Sequence, residues 1–461
     1  MVPTQINHGP ANRSKLSPRK LAAYAGLAVA AVILFSVLVF LFFPVTYING
    51  YLKNQIIKAF ARAYPAYSIR IAGVHYNIWK NRIGCDLIEL TSIDSTFSFT
   101  VAKFSVRGIS WVHILWQGDI ASKDFSGSVA DAREIVLSFR QSQYELRCAR
   151  LRVSVPDSEI SAEALELHPL VEDDKFFAGS KFRRTRFRIV LPQCRVTGAD
   201  CLGLLQGEAY RARSVKVNDA SFDILVDMDT PYNKNSSRPL MPNEALSSIT
   251  KMTQVDSLNI MNGRLKYAER YRIGAAPAEV TFDSIQMLAE GITNHAAPGA
   301  TAVIHAQGNF MKSSTMKILM VIPVASPEIS FRYSGSLDLM DATRLNSFLE
   351  VGENLRIKSG ILQNATFDVN VTAGRASGTV WVMYRDLTIA FRDSRTGSEG
   401  GAYNRITSYI ANAAKIRGTN MPDKSGSIKI GKVKYPRERD DTFLQLVWFS
   451  LRSGVGDVVG F

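Results

Sequence analysis

The sequence predicts a mainly β protein: a long antiparallel sheet folded into a groove, with a few amphipathic helices and one transmembrane helix ahead of it. Three observations carry this. An uncharged run of 23 residues lies near the N-terminus; from about Ser68 onward apolar and polar residues alternate with a period of two; and helical spacing is confined to a few stretches. Period-two alternation sends successive side chains to opposite faces of a strand, so each strand has one apolar and one polar face.

Residues 1–20 form a basic tail in which Arg13, Lys15, Arg19 and Lys20 have no acid among them. Leu21 to Phe43, LAAYAGLAVAAVILFSVLVFLFF, carries no charge. At about 1.5 Å per residue it reaches about 35 Å, enough to cross a hydrocarbon core of about 30 Å. It is longer than the apolar core of a typical cleaved signal peptide and no small-x-small site follows it, so it reads as a signal anchor. The basic tail keeps the N-terminus cytoplasmic and puts residues 44–461 across the membrane. Pro44 then opens a helix over 44–64, with Ile48, Leu52, Ile56 and Phe60 at helical spacing and Lys53, Lys58 and Arg62 set apart. Such a helix lies on a bilayer surface or packs on the sheet, and the spacing serves both.

Beyond it the strands follow. In LRVSV, Leu151, Val153 and Val155 oppose Arg152 and Ser154. In FRIVL, Phe187, Ile189 and Leu191 oppose Arg186 and Arg188. In VDSLNIMNGRLKYAER, residues 255–270, Asn262-Gly263 is the strongest short signal for a two-residue hairpin, pairing Ile260 with Leu265 and Leu258 with Tyr267. VTFDSIQM switches parity at Ser284, from Val280 and Phe282 to Ile285 and Met287, as at a bulge. FDVNV gives Phe367, Val369 and Val371 a common face. Asn218-Asp219 reads as a further turn. Helices are expected at 242–252, 341–351, 404–417 and 441–453, with Gly418 and Gly454 stopping the last two.

The composition narrows the function classes. A net charge of +14 suits nucleic acid or anionic lipid headgroups, but no zinc-finger spacing, helix-turn-helix or RNA-binding aromatic motif is present, so no nucleic-acid partner is expected. The six histidines are scattered and the four cysteines form no C-x-x-C, so no catalytic group, metal or cofactor is expected and the chain does not read as an enzyme. GSIKIGKV, 426–433, lacks the hydroxyl residue of a phosphate-binding loop, and GVGDVVG, 454–460, lacks dinucleotide spacing. Cys194 and Cys201 flank a turn-like RVTGAD and are candidates for a disulfide, with buried free thiols the alternative.

Few charges interrupt the apolar strand faces over more than 250 residues. A second sheet would cover them, or a trough would offer them to lipid chains. VDSLNIMNGRLKYAER followed by AEVTFDSIQMLAEG resembles the recurring unit of the AsmA-like proteins (the AsmA/TamB type) of Gram-negative envelopes. GSLDLMDATRLNSFLEVGENLRIKSGILQNATFDVNV, GTVWVMYRDLTIAF and FLQLVWFSLRSGVGDVVG are similar to that family's closing region. The resemblance implies a taco-shaped groove over 65–330, an AsmA-like C-terminal region with terminal helices over 331–461, and a periplasmic body on the bacterial inner membrane. It also implies phospholipid transport towards the outer membrane. Expected groove-lining residues are Leu258, Ile260, Leu265, Tyr267, Val280, Phe282, Phe367, Val369 and Val371. Membrane-surface or headgroup candidates are Lys53, Lys58, Arg62, Arg184, Arg186 and Arg188; for the last three, in KFRRTRFR, a solvated outer strand face is the plainer expectation. The apolar 443–451 helix docks on the groove's end, on a membrane or on an envelope protein partner. A non-transporting scaffold for outer-membrane assembly is the competing reading.

Overall fold

The computed structural model describes residues 53–54, 57–58, 60–62, 64–77, 79–110, 122–326, 328–391 and 416–460. The basic tail, the transmembrane segment, residues 44–52 of the expected amphipathic helix and residues 404–415 of the helix expected at 404–417 lie outside them. The described residues from 53 to 62 are helical.

Among the described residues twenty strands build one sheet. β1 (Tyr67–Ala72) pairs with β4 (Leu87–Ser92), β2 (His75–Asn77) with β3 (Arg82–Cys85), and β3 and β4 both with β5 (Phe97–Arg107). An antiparallel meander continues through β6 (Val129–Phe139), β7 (Tyr144–Ser154), β8 (Glu159–Pro169) and β9 (Thr185–Thr197). β10 (Ala209–Asn218) and β11 (Ser221–Asp227) lie end to end beside β9. β12 (Met252–Arg270) then runs parallel to both. The meander resumes with β13 (Ala278–Thr293), β14 (Thr301–Phe310), β15 (Ser314–Pro323) and β16 (Phe331–Leu337), the last followed by β17 (Met340–Asp341). β18 (Leu355–Thr372), β19 (Arg375–Phe391) and β20 (Ile430–Pro436) complete it. The sheet is therefore mixed rather than wholly antiparallel. The parallel seam exists because residues 228–251 form a crossover instead of a tight turn. Pairing of β15 with β16 carries the sheet unbroken across residue 330.

The hairpin expected at Asn262-Gly263 does not form. Both residues lie inside β12, which is 19 residues long. Asn262 takes a left-handed φ of 55°, and the pairing with β13 shifts register on either side of Gly263. Its Nδ2 donates to Asp219 Oδ1 at 2.6 Å, and Asp219, also left-handed at 56°, marks the break between β10 and β11 rather than a turn. Tolerance of positive φ makes Asn-Gly a turn former, and the same tolerance suits a bulge. The expected face survives the correction: one extra residue at the bulge leaves Leu258, Ile260, Leu265 and Tyr267 on a common side. Asn262→Val should cost about 1–3 kcal/mol because a β-branched residue resists this φ, whereas Asn262→Gly should cost less; urea unfolding of both variants measures the difference.

Similar left-handed residues recur at Glu134, Ala164 and Ser284, the last where the parity switch was expected. With Asp219 and Asn262 they form a crease from β6 to β13, across which each strand's alternation slips by one residue. Bulges add twist and bend a strand, and a row of them folds the sheet about its apolar side.

Among the described residues beyond 64 the helices are short except one. α1 (Asp173–Phe177) and α2 (Cys201–Gln206) have no counterpart among the sequence expectations. α3 (Pro242–Ser247) lies in the crossover, and α4 (Asn346–Gly352) follows a 3-10 turn at Ala342–Leu345. α5 (Phe443–Val459) begins at a Thr442–Gln445 capping box. It does not stop at Gly454 as expected; Gly460, at φ 105°, is the cap. Gly454 lies where the helix meets the sheet: a Cβ there would press on Val380 and Val433, and one on Gly431 of β20 would collide with the Gly454 carbonyl. Two glycines thus bring helix and strand close enough to bury Leu446 and Val458 completely.

Candidate functional site: the inner apolar face

The register fixes which side chains share a face. From β5 to β11, paired positions on the inner face carry only Val, Leu, Ile, Phe, Ala and Cys away from the rims. Val101, Ala132, Ile135 and Cys148 form a buried cluster at its floor. Around them Leu137, Leu151, Ile189, Leu191 and Ile224 are half-buried: they touch neighbours yet keep surface, and Phe187 is 40% exposed. The outer face is polar. Lys103, Arg133, Arg150 and Glu163 stand in line across β5–β8, and Arg150 pairs with Asp131 at 2.6 Å. Burial opposes ionisation of Asp131, but the Arg150 and Arg133 guanidiniums outweigh it and hold its pKa below the usual carboxylate value.

All nine expected lining residues lie on this inner face, in two environments. Leu258, Ile260 and Leu265 are half-buried and adjoin the β5–β11 surface. Phe367, Val369 and Val371 are sealed beneath α5, at 7%, 0% and 1% exposure. Phe282 stacks on Phe310, with ring centroids 5.1 Å apart. Tyr267 and Val280 belong to a cluster with Val226, Phe348, Leu444 and Trp448 where α4 and α5 meet the sheet.

A buried polar knot fastens that meeting point. Glu269, 4% exposed, accepts from Tyr267 Oη at 2.7 Å, Tyr271 Oη at 2.6 Å and Gln445 Nε2 at 3.0 Å. Burial, reinforced by the Glu269 charge, pushes both phenols well above their ordinary pKa, so they remain donors. Glu353 accepts from Arg452 Nη1 at 2.6 Å and from Trp448 Nε1 at 3.4 Å. The helix expected to dock on the groove's end thus docks on its own sheet.

The arginine-rich strand departs from its expected setting. Arg186 is 3% exposed, paired with Asp173 at 3.1 Å and Asp223 at 2.9 Å. Arg184 stacks on Phe176 at 4.1 Å and donates to its carbonyl; Arg188 pairs with Asp173 at 2.8 Å. The solvated outer face is covered because α1 lies over it, and the nearly buried Arg186 has almost no surface to present to a headgroup. Lys58 and Arg62 are exposed and Lys53 is half-buried. Nor does the Cys194–Cys201 disulfide form: all four thiols are free. Cys194 lies on the inner face of β9, where burial and the neighbouring Cys148 raise its pKa, while Cys201 opens α2 beyond the strand. A hollow of about 610 Å³ beside α1, lined by His168, Glu172, Lys175 and Arg188, belongs to the polar side of the sheet's rim.

A scan against protein-family models gives no match, and neither does a search of curated proteins.

Proposed function

We propose that this chain shelters lipid acyl chains on the inner face of its sheet, as part of phospholipid movement between membranes of a bacterial envelope. The observation that carries the reading is the unbroken, half-exposed apolar face from β5 to β12, with charge kept to the other side. Each methylene taken from water is worth about 0.8 kcal/mol, so a sixteen-carbon chain costs about 12 kcal/mol to expose. A continuous apolar surface offsets most of that without a nucleophile, an acid or a metal. The resemblance to AsmA-like proteins and the uncharged 21–43 segment favour an inner-membrane anchor and a periplasmic body.

The test uses the alternation itself. A photoreactive benzoylphenylalanine at Ile189, on the inner face, should cross-link phospholipid in cells, whereas the same residue at Val190, on the outer face of the same strand, should not. Protein adducts at Val190 with no lipid at Ile189 would favour the second reading, a scaffold. That reading draws on the inner face beneath α5 being closed by protein.

A further inference from the structure

The inner face is continuous in register from β1 to β20, but its two halves differ. Up to β12 most of its side chains keep surface around the buried Val101, Ala132, Ile135 and Cys148 floor; beyond, the face packs round α5, and Tyr333, Val369, Val371 and Val433 are each at most 1% exposed. The change begins where α4 and α5 meet the sheet. Phe348 of α4 and Trp448 of α5 stack edge to face at 5.2 Å over Tyr267, Ala278 and Val226. The Glu269 knot holds this stack from one side and the Glu353–Arg452 pair from another. The crossover adds a second barrier: Met241 at the head of α3 is fully buried in the C-terminal core, and Asn243 donates to the carbonyls of Ser326 and Glu328. The far edge is closed too, since Asp457 and Ser453 of α5 accept from the outward N–H groups of Lys432 and Lys434 on β20.

We infer that the trough is blind: acyl chains occupy the face from β1 to β12 and stop at the Phe348–Trp448 wall, with no path on to the β20 end. This rests on the lipid reading. Nine strand positions run from the β1 edge through β12, counting β10 and β11 as one, and so span eight spacings. At about 4.8 Å per spacing the open trough is about 40 Å long. One leaflet's acyl layer is about 15 Å deep, so the trough takes on the order of two lipids end to end. That is the capacity of a receptacle that fills and empties at the same side of the wall. A lipid leaving for a second membrane must then be passed to another lipid-binding protein, not walked along this sheet.

The experiment places benzoylphenylalanine, singly, at Leu151, Ile224 and Ile318 in the full-length protein in its native membrane and scores phospholipid adducts by mass. All three residues are half-buried on the inner face, Leu151 and Ile224 before the wall and Ile318 beyond it on β15, so one probe chemistry suits all. Circular dichroism and thermal melting confirm that each variant is folded. Adducts at Leu151 and Ile224, at least tenfold above those at Ile318, are expected. Adducts of equal yield at Ile318 overturn the blind trough and leave lipid binding standing. Adducts at Leu151 alone move the stop away from the wall and overturn its assignment. Adducts at none of the three remove the lipid reading and this inference with it.

Discussion

Glutamate at both Ile189 and Leu191 should strip bound phospholipid from the protein, lowering the amount that co-purifies by at least about tenfold, a difference of about 1.4 kcal/mol. Both side chains face the open trough and are half-buried, so in the lipid-free protein two carboxylates there reach water and leave the fold intact. With an acyl chain laid over them they lose that water without gaining a partner, at a cost of several kcal/mol. Val190→Glu adds the same charge to the same strand on the outer face and should leave the lipid in place. Native mass spectrometry of the full-length protein released from detergent counts the lipids. If Val190→Glu loses lipid as readily as the double variant, the effect is on stability and the trough reading fails.

The largest stability loss should come from Arg270→Ala. Arg270 is 5% exposed; its guanidinium pairs with Asp174 at 2.9 Å and Asp227 at 3.4 Å, and stacks over Phe177 at 4.5 Å. Asp174 is open to water and can lose its partner cheaply, but Asp227, 2% exposed, cannot. Removing one member of a buried pair typically costs about 3–5 kcal/mol, because the other charge is left buried alone. Urea unfolding should show that loss, and Asp227→Asn added to Arg270→Ala should recover a good part of it. No recovery in the double variant would mean that the Phe177 stack, not the charge pair, holds α1 to the sheet.

How far the sequence foretold this architecture depended on whether the signal was local. Strand faces are local: alternation found the slip at Ser284, and with the interruption at Asn262-Gly263, read as a hairpin, it put Leu258, Ile260, Leu265 and Tyr267 on one side. What a strand meets is not local. The spacing of KFRRTRFR separates arginines from apolar residues correctly, yet nothing in those eight letters says that α1 will cover the charged side; Asp173, which draws Arg186 and Arg188 under it, lies outside the motif. Asn262-Gly263 failed for a related reason. Its φ preference is legible, but the choice between turn and bulge is made by the 24-residue crossover at 228–251 that brings β11 alongside β12. Likewise FLQLVWFSL was legible as a segment needing burial, while Gly454 looked like a stop because Gly431, its counterpart on β20, lies 23 residues earlier.

The crease marks where a strand of this sheet can lose a residue without turning a face over, which composition does not capture. In β6, Ala132 and Ile135 are three residues apart, yet Ala130, Ala132, Ile135 and Leu137 face the same way because Glu134, at a left-handed φ of 52°, takes up the extra position. Deleting that one exposed glutamate removes no core atom and brings Ile135 two positions after Ala132, so plain alternation keeps both pairs on the apolar side and only the crease in β6 is lost. Ala164 in β8 and Ser284 in β13 hold the same position in their own strands. Along this line a single-residue deletion straightens a strand and spares its faces, whereas a deletion elsewhere in the strand, or a residue that forces the left-handed position back to extended backbone, turns half the strand to the other side.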